Sequence, residues 1–212
     1  MFTISCFTFN PIAENSYVLS NGAKDSIIID PGCYFPNERE RIADYITQNG
    51  LLPKYLLNTH CHLDHVFGNS FIHQTYDLDL YVHSNEKVVL ENAPMAGLLW
   101  NLPFENYKGP LHFLRENETI GLGEDALKVL FTPGHSPGHV CFYSAKQHFV
   151  IGGDALFKMS IGRTDLPGGD YPTLINSIRS KLLALPDETV VYSGHGESTT
   201  IGFERRNNPF LQ

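Results

Sequence analysis

The sequence has few cysteines, and their positions would not build a disulfide framework. Cys6, Cys33, Cys61 and Cys141 are scattered along the 212 residues and form no C-x-x-C pair. Small secreted domains that rely on disulfides carry closely spaced cysteines, whereas scattered thiols are typical of proteins in a reducing compartment. We therefore expect free thiols and a cytoplasmic location.

Long apolar runs are absent as well. No segment approaches the roughly 20 consecutive apolar residues that a membrane-spanning helix requires. The first residues, from Met1 to Phe7, contain neither the basic region nor the long apolar stretch of a secretory signal peptide. We expect neither a leader nor a membrane partner.

Positive charge is scarce relative to negative charge. The chain has 15 Lys and Arg residues against 23 Asp and Glu residues, which gives a formal net charge of −8 at pH 7. A surface with this balance repels polyanions, so nucleic acid is disfavoured as a partner. A small anionic substrate remains compatible with this charge if a local basic residue contacts it.

Segments of strand and helix length fill most of the chain, and no linker or change of composition divides it. Strands are expected at 2–9, 15–20, 26–29, 55–57, 80–83, 126–131, 140–144, 148–151 and 189–192, and helices at 38–47, 86–100, 172–185 and 201–210. Pro94 is expected to break the second helix, and the loop 101–110 to overhang the active site. Because strands come in consecutive runs, two mixed sheets with outer helices fit better than a doubly wound sheet. We expect a single α/β domain over residues 1–212.

The strongest functional signal is a group of three histidines and one aspartate directly after the strand 55–57: His60, His62, Asp64 and His65. Side chains two residues apart leave the same face of extended backbone, so one loop aims several donors into a small volume. Imidazole and carboxylate suit zinc, iron or manganese, and four donors on one loop suggest two metal ions. A polar loop that only caps a helix and faces water fits poorly with this composition.

The residues beside this group have structural interpretations that compete with functional ones. Asn58 and Thr59 either orient the histidines or simply end the strand. Cys61 alternates with His60 and His62 and should point away from them, so we expect it to pack in the core.

Three later strand ends each present one histidine or aspartate. His135, Asp154 and His195 come within a few residues of the ends of predicted strands, and each has a glycine beside it. Glycine lets the backbone approach closely at such positions. One residue of this kind is commonly a turn or a cap, but three of them complete a ligand set with the first group. His139 is expected to support its loop or to bind a carboxylate behind the ligands, rather than to bind metal.

These motifs together resemble the metallo-β-lactamase-fold hydrolases over essentially the whole chain, and in particular the glyoxalase II-like (hydroxyacylglutathione hydrolase-like) proteins. The resemblance is carried by H-x-H-x-D-H at 60–65, Pro133-Gly134-His135-Ser136-Pro137-Gly138-His139, Gly153-Asp154-Ala155-Leu156-Phe157, Gly194-His195-Gly196 and the upstream Asp30-Pro31-Gly32. The family implies a four-layer αββα sandwich, which is the metallo-β-lactamase fold. It also implies a metal-dependent hydrolase.

The resemblance assigns the ligands of two divalent metal ions residue by residue. The first ion is assigned to His60, His62 and His135. The second ion is assigned to Asp64, His65 and His195, and Asp154 bridges the two. Zinc is the expected metal, and iron and manganese also suit these donors. Two such ions roughly 3.5–4 Å apart lower the pKa of a shared water to about 7, and the resulting hydroxide attacks a carbonyl carbon. Asp64 is expected to hydrogen-bond this nucleophile in addition to binding metal.

The implied substrate is a small thioester such as S-D-lactoylglutathione or a related acyl thioester. A full glyoxalase II has a C-terminal helical extension that contacts glutathione, and no such extension is expected in this chain. Arg163 falls where the family has a basic substrate-binding residue, but the tyrosine expected two positions later is Asp165. Arg163 is therefore either an anchor for a substrate carboxylate or one partner of a surface salt bridge.

Two activities of related proteins compete with thioester hydrolysis. Persulfide dioxygenases have similar motifs but use one iron held by two histidines and an aspartate. The number of metal ions therefore distinguishes a persulfide dioxygenase from a thioester hydrolase. A β-lactamase is disfavoured, because the zinc-lactamase pattern usually has a cysteine in the second site and lacks the bridging aspartate. This chain has His65 and Asp154 at those positions.

Overall fold

Two six-stranded β-sheets pack against each other in the computed structural model, which describes residues 1–212. The strands of the first sheet are, in spatial order, β1 (Thr3–Phe9), β2 (Glu14–Ser20), β3 (Asp25–Ile29), β4 (Leu52–Leu57), β5 (Leu80–His83) and β6 (Leu111–Leu114). Those of the second sheet are β14 (Thr199–Thr200), β13 (Val190–Ser193), β10 (Phe149–Gly153), β9 (Val140–Ser144), β8 (Asp125–Phe131) and β7 (Thr119–Leu122). A short antiparallel pair consists of β11 (Leu156–Phe157) and β12 (Ser160–Ile161).

Helices cover the outer faces of the two sheets. On the side of the first sheet lie α1 (Pro36–Gln48), the short turn α2 (Leu63–Val66), α3 (Asn69–Tyr76) and α4 (Lys87–Leu99), which a 3₁₀ turn at Ser84–Glu86 precedes. On the side of the second sheet lie α5 (Tyr171–Ser177), its π-helical continuation Ile178–Leu182, and α6 (Ile201–Asn207). None of these helices combines the length and the apolar character needed to cross a membrane.

The apolar side chains form three layers because both faces of the central strands are covered. In β3, Ile27 and Ile29 pack between the two sheets, whereas Ile28 packs under the helices of the first sheet. A strand buried on both faces has no polar face, which explains the unbroken apolar run. The resulting order of helices, sheet, sheet and helices confirms the αββα sandwich that the sequence predicts.

Parallel strand pairs bring the loops of the site to one edge. β4 runs parallel to β3 and β5, and β10 runs parallel to β13. The loops after β10 and β13 emerge side by side, and Gly194 N donates a hydrogen bond to Gly153 O at 2.7 Å. The loop after β4 reaches the second sheet, where Val140 N donates to Thr59 O at 2.9 Å. The same edge of the two sheets therefore carries all four loops that the sequence marks.

The helix α4 differs from the sequence prediction, because Pro94 does not break it. A proline inside a helix leaves the carbonyl four residues earlier without its N–H donor. That carbonyl belongs to Leu90, and it accepts a hydrogen bond from Asn106 Nδ2 at 2.7 Å instead. The loop 101–110 therefore supports the helix, and it is α4 that lies beside the site.

Candidate metal centre

Four strand ends converge at this edge of the sandwich. The first sheet contributes the group that follows β4, which consists of His60, His62, Asp64 and His65. The second sheet contributes one residue after each of β8, β10 and β13, namely His135, Asp154 and His195. The structure thus brings together all seven residues that the sequence and the resemblance single out as ligands.

Three imidazoles form the first donor group. His62 Nδ1 lies 2.8 Å from His135 Nε2, which in turn lies 3.2 Å from His60 Nε2. One nitrogen from each ring lies within 4.8 Å of the other two. Three nitrogens at this spacing match the neutral N-donor set of a divalent transition metal.

A second donor group lies beside the first and contains a carboxylate. Asp64 Oδ2 is 3.1 Å from His195 Nε2 and 3.7 Å from His65 Nε2. The carboxylate of Asp154 lies between the two groups, since its Oδ1 is 3.4 Å from His65 Nε2 and its Oδ2 is 3.5 Å from His135 Nε2. This placement is that of a residue able to contact an ion in either group.

In three of the imidazoles, the ring nitrogen that points away from the donor groups (the outward nitrogen) lies close to a hydrogen-bond acceptor. His135 Nδ1 lies 2.8 Å from the Arg163 carbonyl, His195 Nδ1 lies 3.2 Å from the Ala13 carbonyl, and His65 Nδ1 lies 3.1 Å from an oxygen of Asp30. A carbonyl or carboxylate can only accept, so each outward nitrogen carries the proton. In the neutral rings the inward Nε2 atoms therefore present lone pairs to the centre of the site.

A cation fits this arrangement, and hydrogen bonds alone do not satisfy it. His65 Nε2 and Asp154 Oδ1 are both buried and have no hydrogen-bond partner. Buried polar atoms without partners are costly, and here a ring nitrogen and a carboxylate oxygen lie 3.4 Å apart without forming a hydrogen bond. Imidazoles whose second nitrogen is held by a carbonyl or carboxylate are also the usual arrangement around protein-bound metal. The residues present therefore suit divalent metal ions.

The two donor groups differ in their electrostatics. Burial lowers the pKa of His62 to about 3, and it lowers the pKa of His60 well below the usual value, with neighbouring imidazoles adding to both shifts. Burial opposes charge on His65 as well, but the carboxylates of Asp154 and Asp64 outweigh it and raise the pKa of His65 well above the usual value. The first group is therefore neutral, whereas the second has a negative potential that favours a positive charge.

Asp30 is the carboxylate that organises the loop after β4. It accepts hydrogen bonds from Thr59 N at 2.7 Å, from Thr59 Oγ1 at 2.6 Å and from Asn58 Nδ2 at 3.0 Å, in addition to contacting His65. Thr59 Oγ1 also lies 3.0 Å from His60 Nδ1. Asn58 and Thr59 thus orient the histidines through Asp30 as well as ending the strand.

Sequence reasoning missed Glu86, which joins two loops of the site. This fully buried carboxylate accepts hydrogen bonds from Cys61 N at 2.7 Å, from Gly138 N at 2.6 Å and from the hydroxyl of Ser136. Cys61 separates two ligands of the first loop, and Ser136 follows His135 in the other. No spacing pattern marks Glu86, because two of its three partners are main-chain groups of distant segments.

His139 and Cys61 have the supporting roles expected of them. His139 is buried and accepts a hydrogen bond from Asp154 N at 3.0 Å through Nε2, while its Nδ1 faces Thr132 Oγ1 at 2.9 Å. Burial lowers the pKa of His139 well below the usual value, so the ring is neutral and able to accept. It therefore fixes the main chain at Asp154 from behind. Cys61 is buried in the core under the first sheet.

Arg163 lies near the site but is paired with a carboxylate. Its Nε and Nη2 donate to the two oxygens of Asp165, both at 2.7 Å, on an exposed surface. This bidentate geometry matches the salt-bridge interpretation, and it occupies the guanidinium that a substrate carboxylate would need. The contribution that Arg163 makes to the donor group is its main-chain carbonyl, which holds His135.

The donor groups open into a cavity of ≈ 1110 Å³. His62, Asp64, His135, Asp154 and His195 form its floor. Apolar side chains of α4 and of two other segments form its walls, including Val88, Met95, Leu99, Trp100, Phe157 and Leu166. A molecule that enters this cavity therefore meets the donor groups at one end and apolar surface around the rest.

Comparison of the sequence with known families gives one match that covers most of the chain. The family described as "Metallo-beta-lactamase superfamily" matches residues 10–195. The "Probable metallo-hydrolase YqgX" of Bacillus subtilis is 41% identical over 202 residues, covering 95% of this chain and 93% of that protein. The "Hydroxyacylglutathione hydrolase GloC" of Haemophilus influenzae is 38% identical over 200 residues, covering 93% and 92%.

Two solved structures resemble the protein over nearly its whole length. The "BLEG-1 B3 metallo-beta-lactamase" has a TM-score of 0.91 at 38% identity, covering 99% of this chain and all of that one. TTHA1623, described "in a di-iron-bound form", has a TM-score of 0.88 at 39% identity, covering 98% and 100%. The similarity in each case extends to the strands and loops that form the donor groups.

Proposed function

The chain belongs to the metallo-β-lactamase superfamily, and from that premise we propose that it is a binuclear metal-dependent hydrolase of acyl thioesters, of the glyoxalase II-like kind. The observation that carries the proposal is the convergence of imidazole nitrogens and carboxylate oxygens in a largely buried site, where two of these atoms have no hydrogen-bond partner. Similarity to the hydroxyacylglutathione hydrolase of Haemophilus influenzae supports the thioester as the substrate class.

Each residue of the site has a part in this proposal. The first ion would be held by His60, His62 and His135. The second ion would be held by Asp64, His65 and His195, with Asp154 between the two. Divalent ions bound there would supply a hydroxide at neutral pH and would stabilise negative charge on a carbonyl oxygen. Zinc, iron and manganese all suit these donors, and TTHA1623 carries iron.

Asp64 is the residue proposed to orient the nucleophile. Burial alone would raise its pKa, but the imidazoles of His65 and His195 lower that pKa below the usual value. The carboxylate is therefore ionised at neutral pH and accepts hydrogen bonds. Oδ2 lies 3.1 Å from His195 Nε2, and the other oxygen, Oδ1, would hold the hydrogen of an attacking water.

Metal analysis combined with a substrate assay tests the proposal. We expect two metal ions per chain in the purified protein, and release of free thiol from S-D-lactoylglutathione or a simpler acyl thioester. Chelation should abolish this release, and added zinc, iron or manganese should restore it. Two ions without release of thiol from any thioester would contradict the proposed reaction.

Two alternative activities belong in the same assay. Persulfide oxidation predicts one iron per chain and consumption of oxygen with glutathione persulfide. Hydrolysis of β-lactams is the second alternative, which the similarity to the BLEG-1 metallo-β-lactamase favours. A chromogenic cephalosporin, hydrolysed with a higher kcat/KM than any thioester, would replace the proposed function by that one.

A further inference from the structure

One wall of the cavity consists of large apolar side chains that the fold leaves in solvent. Met95, Leu99 and Trp100 lie along the last turns of α4, and their exposed fractions are 61%, 78% and 54%. All three line the same cavity as the metal-donor groups. Contiguous exposed apolar surface beside a polar site is characteristic of ligand-binding surfaces.

The lining residues outside α4 include further apolar side chains. Ile12, Phe157, Leu166 and Pro167 are among them, and they come from three separate segments of the chain. Apolar surface from several segments thus surrounds an opening whose floor carries the donor groups. The volume of ≈ 1110 Å³ is slightly above the roughly 300–1,000 Å³ of small-molecule sites, so a lactoyl group would leave most of it empty.

Positive charge is nearly absent from the cavity. Arg163 is the single Lys or Arg among the lining residues, and Asp165 occupies its guanidinium through two hydrogen bonds. Glutathione carries two carboxylates, and recognition of carboxylates in proteins commonly uses a free arginine or lysine. The cavity therefore offers apolar contact to a substrate and little to bind an anionic thiol carrier.

We propose that the cavity binds the apolar acyl group of a neutral thioester, a straight or branched chain of about six to ten carbons or an aromatic ring. This inference rests on the proposed function for the reaction. Water adds to the thioester carbonyl carbon, the carbon–sulfur bond breaks, and the products are the carboxylic acid and the free thiol. The acyl chain lies along α4 while the carbonyl reaches the donor groups on the floor.

A binding measurement tests the cavity separately from turnover. Trp100 is the only tryptophan of the chain and lies in the cavity wall, so its fluorescence reports on occupancy. The probe is S-octyl-N-acetylcysteamine, a neutral thioether that cannot be hydrolysed. We expect a saturable blue shift of the emission with this probe, and none with the S-methyl analogue at the same concentration.

Two adjacent leucines provide a matched pair of variants. Leu98 and Leu99 are both exposed at the end of α4, with exposed fractions of 59% and 78%, but only Leu99 lines the cavity. We expect Leu99→Ser to weaken binding of the octyl probe at least fivefold, and Leu98→Ser to change it less than twofold. Equal effects of the two variants, or no saturable shift with the native protein, would overturn the proposal.

A series of N-acetylcysteamine thioesters then tests the acyl group itself. From acetyl through butanoyl and hexanoyl to octanoyl, we expect kcat/KM to rise by about threefold per methylene as each is removed from water. Leu99→Ser should flatten this dependence, whereas Leu98→Ser should retain it. An acetyl thioester hydrolysed as fast as the octanoyl thioester would reject the acyl-chain site and leave the thioesterase function intact.

Two further outcomes separate this inference from the proposed function. If the octyl probe binds but no thioester is hydrolysed, the apolar site is retained and the thioesterase function fails. If the probe does not bind and Leu99→Ser converts a dimer into a monomer on size-exclusion chromatography, the wall is an interface between two copies. That result would overturn the acyl-chain site.

Discussion

The carboxylate of Glu86 accepts the main-chain N–H of Cys61, the residue that separates His60 from His62. The same carboxylate accepts Gly138 N and the hydroxyl of Ser136, on the loop of the facing ligand. One buried side chain thus fixes the distance between the two halves of the first donor group. The contribution of Glu86 can be measured as a change in metal affinity, although Glu86 contacts no side chain of the proposed ligands.

We predict that Glu86→Ala weakens metal binding by 10- to 100-fold, as loss of supporting groups around a metal site usually does. It should also lower the free energy of unfolding by about 2–4 kcal/mol, because three buried donors lose their acceptor. Glu86→Gln should have a smaller effect, since one amide oxygen still accepts. Competition with a chromophoric chelator and denaturant unfolding measure the two effects.

An exposed glutamate in the first turns of α4, five residues after Glu86, provides the control for this prediction. Glu91 has an exposed side chain and pairs only with Lys87, at 3.7 Å. Glu91→Ala should leave the affinity for metal within a factor of two and change the stability by less than about 0.5 kcal/mol. If Glu86→Ala binds metal as tightly as this control does, Glu86 has no part in holding the site.

His139 should affect the metal site through the main chain of Asp154. We predict that His139→Leu weakens metal binding by about tenfold, because Asp154 N loses its acceptor and the carboxylate loses its fixed position. His139→Gln should restore part of the affinity, since the amide oxygen can replace Nε2 as the acceptor. Leu and Gln variants with equal affinity would show that His139 acts only by filling space.

The metal-free protein should bind its two ions with different dependences on pH. In the second group the pKa of His65 is raised well above its usual value and that of His195 is also raised, so a metal ion competes with protons for these nitrogens. In the first group the pKa values of His60 and His62 are lowered, so those rings are already neutral. Lowering the pH from 8 to 6 should therefore reduce the affinity for the second ion by about tenfold per pH unit for each proton displaced. The affinity for the first ion should stay nearly unchanged.

Chelator competition at pH 6, 7 and 8 measures these two affinities. Proton release, followed by calorimetry in buffers of different ionisation enthalpy, should accompany the pH-dependent ion only. Equal losses of affinity for the two ions as the pH falls would contradict the electrostatic difference between the donor groups.

Asp165 should determine whether Arg163 can contact an anionic substrate. We predict that Asp165→Asn lowers KM for S-D-lactoylglutathione by about threefold to tenfold, because removal of the carboxylate frees the guanidinium. Arg163→Ala alone should leave that KM within a factor of two, because the guanidinium is already occupied. A large increase of KM in Arg163→Ala would instead establish the arginine as a substrate anchor.

The link between Asn106 and α4 should contribute to stability rather than to chemistry. Asn106→Ala removes the donor to the carbonyl that Pro94 leaves free on Leu90, and we expect a loss of about 1–2 kcal/mol in the free energy of unfolding. Asn92→Ala is the matched control, because Asn92 Nδ2 donates to Val88 O on the exposed side of the same helix. Equal losses of stability in the two variants would contradict this role.

The sequence predicts best where one stretch of chain carries the signal. His60, His62, Asp64 and His65 fall within six residues, so the loop could be recognised as a donor group before the fold was known. The two-sheet sandwich followed from consecutive strand runs, and the structure has this architecture. Both inferences rely on local pattern, which a sequence contains in full.

The sequence predicts poorly where the deciding partner is distant. Pro94 breaks a helix by local rules, and only the fold brings Asn106 to the carbonyl it frees. Glu86 carries no pattern, because the groups it accepts are 25 to 52 residues away. The pairing of Arg163 depends on side-chain geometry, so sequence left its two interpretations equal. In each case a tertiary contact decided what local propensity left open.

Each of the two donor groups combines residues that follow strands of both sheets, which links metal binding to the packing of the two sheets. The first group joins His60 and His62 of one sheet to His135 of the other, and the second joins Asp64 and His65 to His195. Ions bound at these groups would link the two sheets, so their binding free energy would also oppose separation of the sheets. A substitution that tightens metal binding at these groups would therefore also raise the free energy of unfolding of the whole sandwich.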